Sequence, residues 1–411
     1  MRLAIRVFLV ITFLLGVLVH VSWAQSENVL VSFDNNNGGW PISTLIYDPA
    51  SAAFYGTAYI GGTNNDGTVF QLKQDPDGSW KTTILYSFTG IVSQDCAGPD
   101  YGVTPVRKKG VITAFYGTCD IGGANDYGAV FELTLQPDGS WAEQIIYSFE
   151  SISDGANPLG GVTLDRKGNL YGTTQVGGSG LGGTVYKLSK TKSGWTKTIL
   201  HNFGAPANPE CHLIFDSKGV LYGTTPSEGQ SFSGTVFDLV PPAQGQTDWT
   251  YNVLYTFDGQ MGTGDGATPR AGLVFHGKGA LYGTTEGGGY EGLGTVFELV
   301  PPGAGQSAWT ENQLYRFTSV GDAAAPVGGL TFGKSGVIYG TTSAGGAFNG
   351  GTAFQLKRKH GTWNKTTLWG FGGIGDGVFP WASMLLEAGD LYGTTKGGGA
   401  YGEGVVYQIT P

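Results

Sequence analysis

Apolar and polar positions alternate along this chain in short bursts. From Leu281 to Leu299 it reads LYGTTEGGGYEGLGTVFEL, a strand-like run, a glycine-rich interruption and a second run. Such runs are rich in Val, Thr, Tyr and Phe and bounded by Gly, Asn, Asp or Lys-Gly turns, which predicts β-strands. No stretch after residue 24 sustains a helical period. Both faces of GTVFEL and of ILYSF are largely apolar, so each strand needs a packing partner on two sides.

The pattern recurs. YGT starts at Tyr55, Tyr116, Tyr171, Tyr222, Tyr282, Tyr339 and Tyr392, seven copies spaced by 51 to 61 residues. A phenylalanine ends each LYSF-like run, at Phe33, Phe88, Phe149, Phe203, Phe257, Phe317 and Phe371. A proline precedes each copy, at Pro41, Pro105, Pro158, Pro209, Pro269, Pro326 and Pro380. A tryptophan opens the closing strand of six copies, from Trp80 to Trp363. One unit, 158–203, reads as LGGVTLD, LYGTT, GTVYKL and WTKTILHNF joined by turns and one glycine loop. Four antiparallel strands repeated seven times predict an all-β fold, a seven-bladed β-propeller. The last copy lacks a fourth strand, and residues 28–33 resemble one with no strands before it. That N-terminal strand is expected to complete the seventh blade beside residues 405–409, so residues 25–411 form one closed ring and hide a sheet edge.

The run LYGTT..GG..G.GTVF.L stands at 170–188, 221–239, 281–299 and, ending in Ile, 391–409. It resembles the family of exported proteins built from GloVer tandem repeats, over essentially the whole chain after residue 24. The resemblance implies a propeller-like exported protein and brings no catalytic residues. Members often end in an anchoring segment; this sequence stops at Pro411 without one.

Residues 1–24 read as a signal peptide. Arg2 and Arg6 precede the apolar run VFLVITFLLGVLV, and Ser22 and Ala24 frame a cleavage before Gln25. A secreted or periplasmic protein is expected, with no membrane segment after cleavage. Losing both arginines takes the formal charge from -9 to -11, which argues against a nucleic-acid partner. Charged residues make up only 13% of the chain, against roughly 25% in average domains, and the 72 glycines fill much of the difference. A monomer is expected, and no cofactor: the three G-x-G-x-x-G matches, starting at Gly178, Gly287 and Gly397, precede strands rather than helices.

Strand alternation puts the loop leading into strand one and the glycine loop between strands two and three on the same face. Lysine-bearing turns at Lys109, Lys167, Lys218, Lys278 and Lys334 fall on the other. The recurring Asp154, Asp265, Asp322 and Asp376 belong to different blades, so Asx-type turns explain them better than a metal, and no metal site is expected. Aromatic residues stand in the glycine loops (Tyr127, Phe232, Tyr290, Phe348, Tyr401) and beside two prolines (Trp40, Trp381). They are candidates for stacking on sugars, against a packing role between blades. The fourth copy departs most from the repeat. Glu210 and His212 share a side of its first strand, with Glu228 in its glycine loop, and are candidates for acid–base work at the channel mouth. Cys96 and Cys119 fall in neighbouring loops of one blade and are expected to form a disulfide. The chain thus reads as an exported binding or scaffold protein whose partner is a glycan or another surface protein. The alternatives are a carbohydrate-active hydrolase or lyase, and a structural surface protein with no small ligand.

Overall fold

A computed structural model describes residues 26–411 apart from 230, 261, 263 and 320. Residues 1–24, read above as a signal peptide, lie outside the described residues. Seven four-stranded antiparallel sheets form the blades of a propeller. Blades one to six span 46–87, 103–148, 162–204, 214–256, 274–316 and 331–370. In each, sheet order follows chain order from the innermost strand to the outermost. Blade seven is built from Leu385–Glu387, Asp390–Thr395 and Val405–Thr410, and its outermost strand is Ser26–Ser32. Ser26 pairs with Thr410 and Ser32 with Val405 across that seam. Among the described residues the helical pieces are three short 3₁₀ turns.

Two glycine positions explain why the repeat is so strict. The glycine of each YGT lies under the aromatic ring of the third strand. A Cβ on Gly56, Gly223 or Gly340 would come within 3 Å of Phe70, Phe237 or Phe354, and Tyr186 and Tyr407 cover Gly172 and Gly393 in the same way. Those rings are fully buried, so any side chain at the glycine would displace a core aromatic. The second glycine, before the third strand, has φ between 90° and 100° in every blade (Gly67, Gly128, Gly183, Gly234, Gly294, Gly351, Gly404). Over its Cα sits Cδ of a proline from the next blade: Pro99, Pro158, Pro209, Pro269, Pro326, Pro380 and, round the ring, Pro41. Glycine alone meets both demands cheaply. In the second blade this place belongs to Pro99. Pro105 lies inside Val103–Lys108, so the proline series read from the sequence is one member out.

Each of those prolines follows a residue with φ of 52–64°: Trp40, Gly98, Asn157, Asn208, Thr268, Ala325 and Phe379. That conformation is costly for a bulky or β-branched residue such as Trp40 or Thr268. It is held by a backbone hydrogen bond from that residue's N–H to the glycine loop of the preceding blade. The distances run from 2.7 Å (Phe379 to Gly350) to 3.1 Å (Asn157 to Tyr127), and Trp40 N–H donates to Glu403 O at 2.8 Å across the closing seam. Lower down, Thr224, Thr284, Thr341 and Thr394 donate to the segment just before the innermost strand of the following blade at 3.0–3.1 Å. The seven buried phenylalanines that end the fourth strands fill the spaces between.

The lead-in loops carry aspartates whose carboxylates accept backbone N–H groups and a ring donor from the preceding blade. Asp154 accepts from Tyr147 Oη at 2.9 Å and Glu150 N–H, and Asp376 accepts from Trp369 Nε1 at 3.0 Å and Gly372 N–H. These are turn-stabilising contacts. Cys96 and Cys119 are joined, Cα to Cα 5.5 Å, which ties the lead-in loop of blade two to the end of its second strand.

Candidate functional site

The residue after each proline points to the axis. Ile42, Asp100, Leu159, Glu210, Arg270, Val327 and Trp381, one from each blade, line a cavity of about 110 Å³ at the channel mouth. Around them stands a second circle, the first residue of each glycine loop. It includes Tyr59, Asp120, Gln175, Glu286 and Lys396, whose backbone N–H groups donate to the pre-proline residues or their neighbours. The seven-fold frame is regular, yet the side chains it presents differ at nearly every position. A packing repeat would not require that diversity.

The mouth has three sectors. On one side Arg270 is gripped by Glu210 and Glu286, each at 2.5 Å, and Gln175 Nε2 donates to Glu210 at 2.7 Å. Opposite, at the seam between blades seven and one, Lys396 Nζ lies 5.0 Å from the Trp40 ring and 4.8 Å from Trp381. Trp40 stacks on Tyr59 at 6.3 Å between centroids. Trp40 is 36% exposed and Trp381 43%. Between these sectors are Asp100 and Asp120. Tyr59 Oη donates to Asp120 Oδ2 at 2.9 Å, and Asp120 Oδ1 is buried with no hydrogen-bond partner among the described residues. That oxygen faces Gly98, where a Cβ would collide with it. Burial, reinforced by Asp120 and Glu210 and opposed by Lys396, pushes the Asp100 carboxyl up to about 7. Burial pushes Asp120 up to about 6, against hydrogen bonds from Tyr59 and backbone N–H groups. Two carboxyls raised towards neutrality thus lie near one another, and Asp100 lines the cavity.

Beneath the rim Tyr101 closes the channel, its ring stacked on His212 at 4.8 Å and within 4° of parallel. His212 Nδ1 donates to Gly160 O and Nε2 is hydrogen-bonded to the Thr163 hydroxyl, both at 3.0 Å. Burial holds its pKa below the ordinary value. With both ring nitrogens engaged, His212 is a structural part of the plug. Glu228 is not at the mouth. It accepts from Tyr251 Oη at 2.6 Å, Thr225 and Thr235 within blade four, whose lead-in loop lacks the usual aspartate. The candidate trio of Glu210, His212 and Glu228 is therefore not one cluster, and only Glu210 lines the cavity.

Trp40 and Trp381 converge at the rim. The other loop aromatics, Tyr127, Phe232, Tyr290, Phe348 and Tyr401, belong to five different blades and do not line the cavity. Tyr127 packs against a core cluster. Phe232, Phe348 and Tyr401 are 63–66% exposed, and Tyr290 is covered by Arg316 at 4.8 Å. Sequence reasoning missed Asp100, Asp120, Arg270, Lys396 and Tyr59. Aligning the second copy on Gly98-Pro99-Asp100 would have exposed the inner circle. The outer one is simply the residue after each YGTT-like run.

The architecture and its ornamented mouth define a seven-bladed propeller with an axial pocket, a class of scaffold that supports many unrelated activities. The chain belongs to the Gloeobacter/Verrucomicrobia repeat family, whose profile matches residues 107–319. No curated protein sequence matches it. Among solved structures, a Bacteroides uniformis protein proposed to be a 6-phosphogluconolactonase is similar, at 15% identity and TM-score 0.53, over 83% of this chain and 88% of that one. A Bacteroides fragilis protein with the same proposed activity follows at 16% and 0.52, over 82% and 87%. The extracellular domain of a proposed hybrid two-component system from B. thetaiotaomicron matches at 10% and 0.53, over 94% of this chain and 39% of that one. At these identities the likeness establishes the fold. Among the described residues no helix is long and apolar enough to cross a membrane.

Proposed function

We propose that the protein is an exported carbohydrate-binding propeller whose ligand enters the channel mouth on the glycine-loop face. One observation carries this reading: Trp381, 43% exposed, lines a pocket walled by Asp100, Glu210 and Arg270, and Trp40 stands beside it across Lys396. Indole faces stack on the apolar faces of sugar rings, while the polar wall can take the hydroxyls. Calorimetric titration of the exported form with a panel of soluble glycans tests it. Binding of at least one glycan is expected, with a loss of about tenfold in Trp381→Ala, roughly one stacking contact. A panel without binding, or an unchanged affinity in Trp381→Ala, sinks the reading.

A second reading, a hydrolase or lyase, is favoured by Asp100 and Asp120. A general acid works best with a pKa near the operating pH, and these two carboxyls are placed there by their surroundings. Glu210 and His212 are the poorer acid–base candidates, since their polar atoms are engaged. Product analysis with each bound glycan separates the readings: cleavage that disappears in Asp100→Asn supports the enzyme, and intact glycan supports the binding protein.

A further inference from the structure

We propose that the face opposite the mouth docks on an anionic phospholipid surface, held there by lysine and arginine side chains of its turns. The inference is independent of the carbohydrate reading, and the contact it describes is peripheral.

Charge is divided unevenly between the two faces. The turns opposite the mouth, with the strand ends that flank them, hold fifteen Lys and Arg against nine Asp and Glu. The mouth face holds three, Arg270, Arg316 and Lys396, against seventeen. An acidic protein thus carries one face with a positive surplus. Screening makes the division effective. At about 0.15 M salt charges are felt over about 8 Å, while a six-residue strand is about 20 Å long. Phosphates beneath the basic face therefore sense that face and little of the acidic one.

Turn chemistry explains some of these cations and not the rest. Lys109, Lys167, Lys218 and Lys278 stand before glycines in the turns joining strands one and two, so they recur with the repeat. Blades three and six add basic prongs of their own. Their third and fourth strands pair right to the tip of the hairpin, Thr191 with Gly194 and Lys359 with Thr362. The tips carry Lys190, Lys192, Lys357, Arg358 and Lys359, all exposed and, among the described residues, in no ion pair. The matching turns of blades one and two carry Asp75, Asp77 and Asp138 instead. Nothing in the packing of the blades calls for the basic tips.

The layout fits a plane. The prongs stand at the rim, outside an arc of turn lysines that runs from blade two to blade six. The groove on this face, between blades one and two, is lined by no lysine or arginine among the described residues. A single polymer strand would need the cations in one line, whereas anionic leaflets retain clusters of roughly four to eight Lys and Arg spread near their surface. The chain also enters the fold here: Ser26 stands at this end of the sheet, beside Thr410, and the apolar run of residues 7–19 precedes it in the sequence. A chain leaving a bilayer through that run meets its own fold on the basic face.

The experiment is co-sedimentation of the exported form, residues 25–411, with vesicles at about 0.1 M salt. Vesicles of phosphatidylcholine and phosphatidylglycerol in equal parts are expected to bind the protein at least tenfold more tightly than vesicles of phosphatidylcholine alone. Raising the salt to about 0.5 M should abolish the difference. Two pairs of charge reversals on the prongs, Lys190→Glu with Lys192→Glu and Lys357→Glu with Lys359→Glu, should each weaken binding about tenfold. Glu150→Lys with Glu291→Lys, on exposed loops of the mouth face, shifts the net charge as far in the other direction and should change nothing. No preference for phosphatidylglycerol overturns the proposal, as does binding that both prong variants retain. A gain in the mouth-face variant equal to those losses also overturns it, because net charge would then govern. Salt-sensitive self-association without vesicles would overturn it in favour of a second copy's acidic side, and equally tight binding of a soluble polyuronate in favour of a polymer. The vesicle comparison on the unaltered protein decides even if a variant fails to fold.

Discussion

The seven blade interfaces share one backbone scheme but close it with opposite chemistry. In blades three and six a lysine of the outermost strand reaches the aspartate of its own lead-in loop. Lys197 Nζ meets Asp154 Oδ1 at 2.7 Å, and Lys365 pairs with Asp322. Both ammonium groups are nearly inaccessible, at 5% and 4% side-chain exposure, and lie over aromatic rings, Phe149 at 4.7 Å and Phe317 at 5.8 Å. In blades two, five and seven the same strand position is Glu143, Glu311 and Glu27. Each glutamate faces Asp95, Asp265 or Asp376, and each has one buried oxygen without a partner among the described residues. Burial first, then the neighbouring aspartate, raises Glu143 to about 8 and Glu311 and Glu27 to about 7. Asp154 is held below its ordinary value: burial alone would raise it, but hydrogen bonds from Lys197, Glu150 N–H and Tyr147 outweigh that. One position in the repeat therefore supplies latches of two kinds, with opposite responses to acid.

The direction of each response follows from linkage. A glutamate raised in the folded protein holds its proton more tightly there than in the unfolded chain. Its contribution is complete below about 4.5 and disappears as pH rises through 7 to 8. The Asp154–Lys197 latch behaves oppositely, present at neutral pH and lost as acid protonates Asp154.

The strongest way to break the contrast is Lys365→Glu, which turns an ammonium latch into a carboxyl pair. It should cost about 3–5 kcal/mol at pH 8, the usual effect of stranding one partner of a buried pair, and less at pH 5. Denaturant unfolding at the two pH values reads this, and equal losses at both would contradict it. Next, Cys96→Ala with Cys119→Ala should cost about 3 kcal/mol in the same assay for a loop of this size. Because the bond anchors the loop next to Asp95, that variant should also weaken the pH response owed to Glu143. The converse exchange, Glu143→Lys, should gain about 1 kcal/mol at pH 8 by giving Asp95 a cation, and nothing at pH 5. Smallest is the response of the unaltered protein. Its melting temperature should fall by a few degrees between pH 5 and pH 8, and replacing Glu27, Glu143 and Glu311 by Gln should flatten that slope. A slope unchanged in the triple variant would assign it to other groups.

Strand count, blade count and the pairing of residues 28–33 with the last blade could be read from spacing, because packing between blades imposes the same residues on every copy. Gly223 under Phe237 is typical: a local steric demand that repeats wherever the blade does. The mouth follows a different logic. Trp40 and Trp381 meet around Lys396 only because the ring closes, and nothing in their sequence separation suggests it. Asp100 was hidden by a register error, since Pro105 stands near enough to Pro99 to imitate the repeat. Lys197 and Asp154 lie 43 residues apart, and although the aspartate recurs from blade to blade, nothing in the sequence marks the lysine as its partner. Their partnership is set by how the lead-in loop passes the outermost strand of the same blade, and short-range patterns do not encode that path.

The seam at blade seven also fixes an orientation. Ser26 lies beside Thr410 at the end of the sheet away from the glycine loops, while Ser32 and Val405 lie at the end nearest them. Both ends of the described chain thus leave from neighbouring points on the side opposite the pocket. A tether joined to either one, whether a lipid, a wall polymer or a fusion partner, would hold the propeller like a dish on its stand, with the pocket turned to the medium.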